Sequence, residues 1–158
     1  ITGKAPTDSD LSPRRALRPV TILEGMMSAP LQQQADPAQH PDAFYQGLRL
    51  CGIDGSQFSV TNTPQVKKRM KKARSRRGRS AFPKVGVAVM VELGLHNPLA
   101  AALGSDGESE MVLAKRLVSA QPENSLMIND RYYGIAALLV DWPAGVQGHF
   151  LMRVKGNL

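Results

Sequence analysis

Two aspartates, Asp54 and Asp130, each follow a short apolar run, and they are the residues of this sequence best placed to do chemistry. Leu48-Arg49-Leu50-Cys51-Gly52-Ile53 leads into the first, and Leu126-Met127-Ile128-Asn129 into the second. A buried strand carries runs of this kind. In open α/β sheets the carboxyl ends of strands are where ligands bind. The competing use of Asp130 is as a cap on the helix that follows it, a common job for aspartate. Lying 76 residues apart, the two carboxylates can meet only through the fold. On parallel neighbouring strands both would reach one sheet edge, where hard oxygen ligands suit Mg²⁺ or Mn²⁺. Two such ions about 3.5–4 Å apart can activate a water or a 3′-hydroxyl and stabilise the leaving oxygen of a phosphodiester. A site of that kind normally has a third carboxylate. Glu92, Asp106, Glu108, Glu110, Glu123 and Asp141 are the candidates, none at a comparable strand end. Glu108 and Glu110 read as solvated acids of a helix first turn.

The charge distribution suggests a polyanionic substrate. The chain carries a net +7, and nine of its 20 Lys and Arg residues fall in one stretch: Lys67, Lys68, Arg69, Lys71, Lys72, Arg74, Arg76, Arg77 and Arg79. Without them the balance is −2. So dense a cationic segment repels itself unless something anionic balances it, and it fits phosphate neutralisation on a nucleic acid. A solvated loop and a targeting tract are the bland alternatives.

Other chemistries are poorly supplied. The single cysteine, Cys51, excludes an internal disulfide and a cysteine-rich zinc cluster, and reads as a small core residue. His40, His96 and His149 are scattered without metal-ligand spacing. No G-x-S-x-G elbow or P-loop is present. No apolar run approaches the ~20 residues that span a bilayer, and the start lacks a signal-peptide pattern, so the expectation is a soluble, cytoplasmic protein with no membrane partner.

The elements that must position the aspartates can be read from periodicity. Residues 1–43, with six prolines, are expected to be a largely disordered linker or remnant of an upstream domain, with a short helix around Thr21 to Met27. Order should begin near Phe44. The Leu48 run reads as a strand ending at the Asp54-Gly55 turn signal, with a second strand at Ser56 to Val60. The basic segment, within a loop over 64–83, lacks apolar periodicity and is expected to be an exposed loop or short charged helix. Val85 to Leu93 is β-branched and long, a central strand. Leu99 to Leu103 is the return strand of a hairpin, or helical. Ser105 and Glu108 form a capping-box pattern opening a helix from Glu108 to Ala120. The Asp130 strand follows, then a helix over Tyr133 to Val140 and a last strand from His149 to Lys155. Hairpins followed by alternating helices and strands imply an α/β fold with a mixed sheet and flanking helices.

Four segments then carry a family resemblance. Gly47 to Ser56 resembles the "GLRL-x-x-x-DGT" segment of bacterial insertion-sequence transposases, and Ser80 to Val85 the entry to the next strand in that family. Asn129-Asp130-Arg131-Tyr132-Tyr133 resembles "ADRGFY", and His149 to Asn157 resembles "HFLxRVKSN". All four occur in the family's order over about 44–158, and the match is to DDE transposases of the IS-four type. The resemblance implies an RNase H-like catalytic domain over 44–158. It makes Asp54 and Asp130 the first two catalytic, metal-holding aspartates and double-stranded DNA at transposon ends the partner, with a homo-oligomer left open. It also implies a bacterial protein, nucleoid-associated when on DNA. The family's third ligand is a glutamate on a later helix, and the chain reads as truncated before it. Ser56, Asn129 and Tyr132 depart from the family's usual Thr, Ala and Gly.

Overall fold

The computed structural model describes residues 17–70, 74, 75, 78–104, 107–135, 138, 140 and 148–153. Its centre is a six-stranded mixed sheet. The strands are β1 (Phe44–Tyr45), β2 (Leu48–Ser59), β5 (Lys84–Glu92), β6 (Asn97–Gly104), β7 (Ser125–Asn129) and β8 (His149–Met152), in the order β6-β5-β2-β7-β8 with β1 paired to β2. A separate two-residue pair, β3 (Arg74–Ser75) with β4 (Gly78–Arg79), lies within the basic segment. The helices are α1 (Val20–Ser28), α2 (Pro64–Arg69) and α3 (Glu110–Leu117), the last continued by a 3₁₀ turn at Val118–Ala120. β2, β5 and β6 form an antiparallel meander, whereas β7 and β8 add parallel to β2 and to each other. This is the expected α/β architecture, an RNase H-like mixed sheet.

Alternation along β5 decides what the sheet buries. Ala88, Met90 and Glu92 are buried while the valines between them are half-buried. Ala88 and Met90 join Cys51, Ile53 and Met127 in a core under Leu113, Ala114 and Leu117 of α3. Ser109 caps that helix, its hydroxyl accepting from Val112 N–H at 3.4 Å, and Lys115 and Arg116 lie in its last turn, where cations suit the helix dipole. The cap is thus Ser109, one turn beyond the expected capping box at Ser105, a residue outside those described.

Two further expectations are revised. Asp54-Gly55 does not turn. β2 runs straight through it because nine successive residues, Cys51 to Ser59, pair with β5, and a ladder of that length overrides local turn chemistry. Packing on the sheet also begins earlier than Phe44. Glu92, fully buried, accepts from the backbone N–H of Gln34 at 3.0 Å and of Ala35 at 3.3 Å, from Asn97 Nδ2 at 3.2 Å and from the Arg49 guanidinium. Arg49 in turn donates to Ala35 O at 3.2 Å and stacks over Phe44. Gly94 allows this strap to close down, since a Cβ there would meet the Ala43 backbone 2.5 Å away. α1 forms where the short N-terminal helix is expected. Of the helix expected over 133–140, Tyr133 lies in a turn and helical backbone is described at Leu138 and Val140.

Candidate active site

β2 and β7 are parallel neighbours, paired Arg49 with Ser125, Leu50 with Leu126 and Cys51 with Met127. Asp54 and Asp130 each lie three residues beyond the last of these pairs, so the register brings them to the same depth at the same sheet edge. Asp54 is mid-strand with respect to β5, where it pairs with Val89, but it stands where β2 has parted from β7. Both aspartates are exposed. Each bonds locally: Asp54 Oδ1 accepts from Gly55 N–H at 2.8 Å, and Asp130 Oδ1 from Tyr132 N–H at 2.7 Å. Asp130 therefore holds a turn at 131–133 where a helix start is the alternative, and the register sets it level with Asp54.

Between the parting strands lies Asn129. Its Oδ1 accepts from Ile53 N–H at 2.7 Å, while its Nδ2 is buried and without a hydrogen-bond partner among the described residues. A buried donor left unpaired costs about 1–3 kcal/mol, and such a group in a native structure calls for a reason.

A third carboxylate approaches from α3. Glu110 is half-buried, and its carboxyl group occupies the space that a Cβ at position 55 would fill, so Gly55 is the residue that admits it. It accepts a hydrogen bond from the Tyr133 hydroxyl. Tyr133 is itself buried and packs edge-on against Tyr132 with ring centroids 5.5 Å apart. Burial pushes the Tyr133 hydroxyl far above its ordinary pKa; the bond to Glu110 and the charges of Glu110, Asp54 and Asp130 push it the same way. That hydroxyl donates to Glu110. The expectation that Glu110 is a solvated first-turn acid is overturned. The signal lay in the glycine after Asp54, which leaves room above the strand, but nothing in the sequence links it to residue 110.

The donor set fits a hard divalent cation that keeps much of its water. Mg²⁺ is commonly held by one or two carboxylates together with substrate phosphates, and Asp54 and Asp130 provide two exposed ones. Among the described residues no three His, Cys, Asp or Glu side chains gather closely enough to form a metal cage, Glu110 being turned to Tyr133 instead. Glu92, another third-carboxylate candidate, is consumed by the strap, and Glu108 pairs with Arg116. Cys51 is buried in the core, and burial pushes its thiol up to about 12.

The basic segment is the connection from β2 to β5. Ser59 pairs with Lys84, and Val60 N–H donates to Pro83 O at 2.9 Å. It therefore leaves the sheet at the carboxyl end of β2, the edge that also carries Asp130 at the end of β7. Five residues of strand separate Asp54 from its start, about 17 Å. Thr63 caps α2, Pro64 opens it, and Lys67, Lys68 and Arg69 are exposed in its last turn. Beyond it, Arg74 is in register with Arg79 across the β3–β4 pair. Lys71, Lys72, Arg76 and Arg77 lie outside the described residues.

Comparison with known proteins follows the same line. No protein-family model matches the chain. It is 29% identical over 116 residues to a protein titled "Putative transposase InsZ" of Escherichia coli strain K12, covering 72% of this chain and 39% of that protein. It is also 29% identical over 129 residues to "Transposase InsG for insertion sequence element IS4" of the same organism, covering 81% of this chain and 28% of that protein. The chain thus spans less than half the length of either relative. Over most of its own length it is similar to insertion-sequence transposases, the family to which its four motifs point.

Proposed function

We propose that the chain serves DNA transposition as part of a transposase catalytic domain, with Asp54 and Asp130 holding Mg²⁺ or Mn²⁺ at transposon ends. The observation that carries this reading is the parallel β2–β7 register, which gives the two aspartates equal depth at one sheet edge. The chemistry such a cation supplies when bound is polarisation of a phosphodiester and activation of a water or 3′-hydroxyl. The chain's own residues do the rest. Asp54 and Asp130 present the ligand oxygens, and Glu110, tethered to Tyr133, adds negative potential beside them. The segment from Lys67 to Arg79, leaving the same edge, holds duplex DNA by its phosphates and carries no sequence information of its own.

Calorimetric titration with Mn²⁺ tests the metal-holding part. Wild type should bind, and Asp54→Asn and Asp130→Asn should each abolish binding while keeping the fold. Binding unchanged in both variants would remove the reading. A second reading, a nucleic-acid-binding module without catalysis, is favoured by the lack of a three-acid cage among the described residues. Under it, Asp54→Ala leaves every activity intact, and DNA affinity still falls steeply with salt.

A further inference from the structure

The last rung between β2 and β7 is not made by the backbone. Their parallel pairing stops at Cys51 opposite Met127, yet Ile53 N–H is satisfied, by Asn129 Oδ1 at 2.7 Å in a buried setting. A side-chain carbonyl has replaced a main-chain one where the strands part. Because the atom it meets is an N–H donor, the acceptor must be the carboxamide oxygen, and this fixes which way the amide points. Its Nδ2 is then left buried with no partner among the described residues, in a side chain that belongs to a residue only 9% exposed. Asn129 immediately precedes Asp130, and Ile53 immediately precedes Asp54. The Asn129–Ile53 bond therefore ties together the residues that immediately precede the two aspartates.

We propose that Asn129 is a positioning residue for the Asp54–Asp130 pair. Its carboxamide, in place of the ladder, sets the gap between the two aspartates. Its spare Nδ2–H is held for an oxygen that the loaded site brings in, either an aspartate oxygen or a water carried by the divalent cation. This inference rests on the reading that the pair holds Mg²⁺ or Mn²⁺. Groups that orient metal ligands without touching the metal typically change affinity about 10- to 100-fold when removed. A merely structural asparagine would change stability alone.

The test is Mn²⁺ titration of the 158-residue chain, followed by the electron paramagnetic resonance of free Mn²⁺ well below the melting midpoint. Asn129→Ala should weaken Mn²⁺ binding at least about tenfold. Leu117→Ala, a core truncation at the far end of α3 from Glu110, should lower the melting temperature and keep wild-type affinity. Wild-type affinity in Asn129→Ala, with binding still lost in Asp54→Asn, overturns the role of Asn129 and spares the metal pair. Wild-type affinity in Asp54→Asn overturns the pair itself. Should Asn129→Ala fail to fold, the side-chain amide resonances of Asn129 in wild type decide the matter. Their displacement on Mg²⁺ addition supports the proposal, and their indifference overturns it.

Discussion

Two acid sites lie along β2, one supplied by Glu92 of β5 and one by its own Asp54, and they differ in how their oxygens are used. Near its start, Arg49 meets Glu92, which is fully buried and accepts from a guanidinium, two backbone amides and an asparagine. Five residues on, Asp54 stands exposed beside the strand of Asp130, and the bonds described for each aspartate are to backbone amides one or two residues away. Glu92 has been consumed by structure, whereas Asp54 and Asp130 are exposed to solvent. Acids of the first kind hold a fold together. Those of the second kind are expected to contribute little to stability, in keeping with the cation-holding role proposed for them.

Removing members of each site should sharpen this contrast, most of all at the buried one. Glu92→Ala takes the carboxylate from the part-buried Arg49 guanidinium, which keeps only its bond to Ala35 O, and leaves two backbone donors unpaired, and should cost about 3–5 kcal/mol in a denaturant melt. The same variant should expose residues 32–43 to limited proteolysis, since Gln34 and Ala35 lose their acceptor. Tyr133→Phe lies between the extremes. It removes one hydrogen bond to a half-buried carboxylate that water can reach, so about 1–2 kcal/mol is expected by the same melt.

Alkali should also destabilise the fold. Burial raises the Cys51 thiol from an ordinary 9.0 to about 12. The folded state therefore retains a proton that the unfolded chain releases, so this contribution is complete below pH 9 and is lost as pH rises towards 12. Urea melts from pH 8 to 11 should show that decline, and Cys51→Ala should reduce it, leaving the part above pH 10 that the raised Tyr133 hydroxyl contributes. Smallest of all, Asp54→Asn and Asp130→Asn should change stability by no more than about 0.5 kcal/mol. A large loss there would make the pair structural and erase the distinction from Glu92.

Much of this was legible in the sequence, for reasons particular to the residues. β5 announces itself through its valines, and α3 through Met111, Ala114, Leu117 and Val118 on one face, though Leu113, outside that set, is buried as well. Asp54 and Asp130 could be singled out because apolar runs lead into both. What failed depended on partners far along the chain. Asp54-Gly55 has turn chemistry, but the nine-residue ladder with β5 straightens it. The strap is held through backbone amides of Gln34 and Ala35, which leave no trace in side-chain types. Glu110 resembles any first-turn acid until Gly55 is seen beneath it, and Asn129 resembles any strand-end polar residue until Ile53 N–H is seen to lack a main-chain partner.

Asp54 and Asp130 are proposed to come together to share a divalent cation. Crystals soaked in Mn²⁺ and measured at the manganese absorption edge test it most directly. An anomalous peak within coordinating distance of a carboxylate oxygen from each aspartate is the expected result. Manganese bound elsewhere on the protein, with no density between Asp54 and Asp130, would contradict the account.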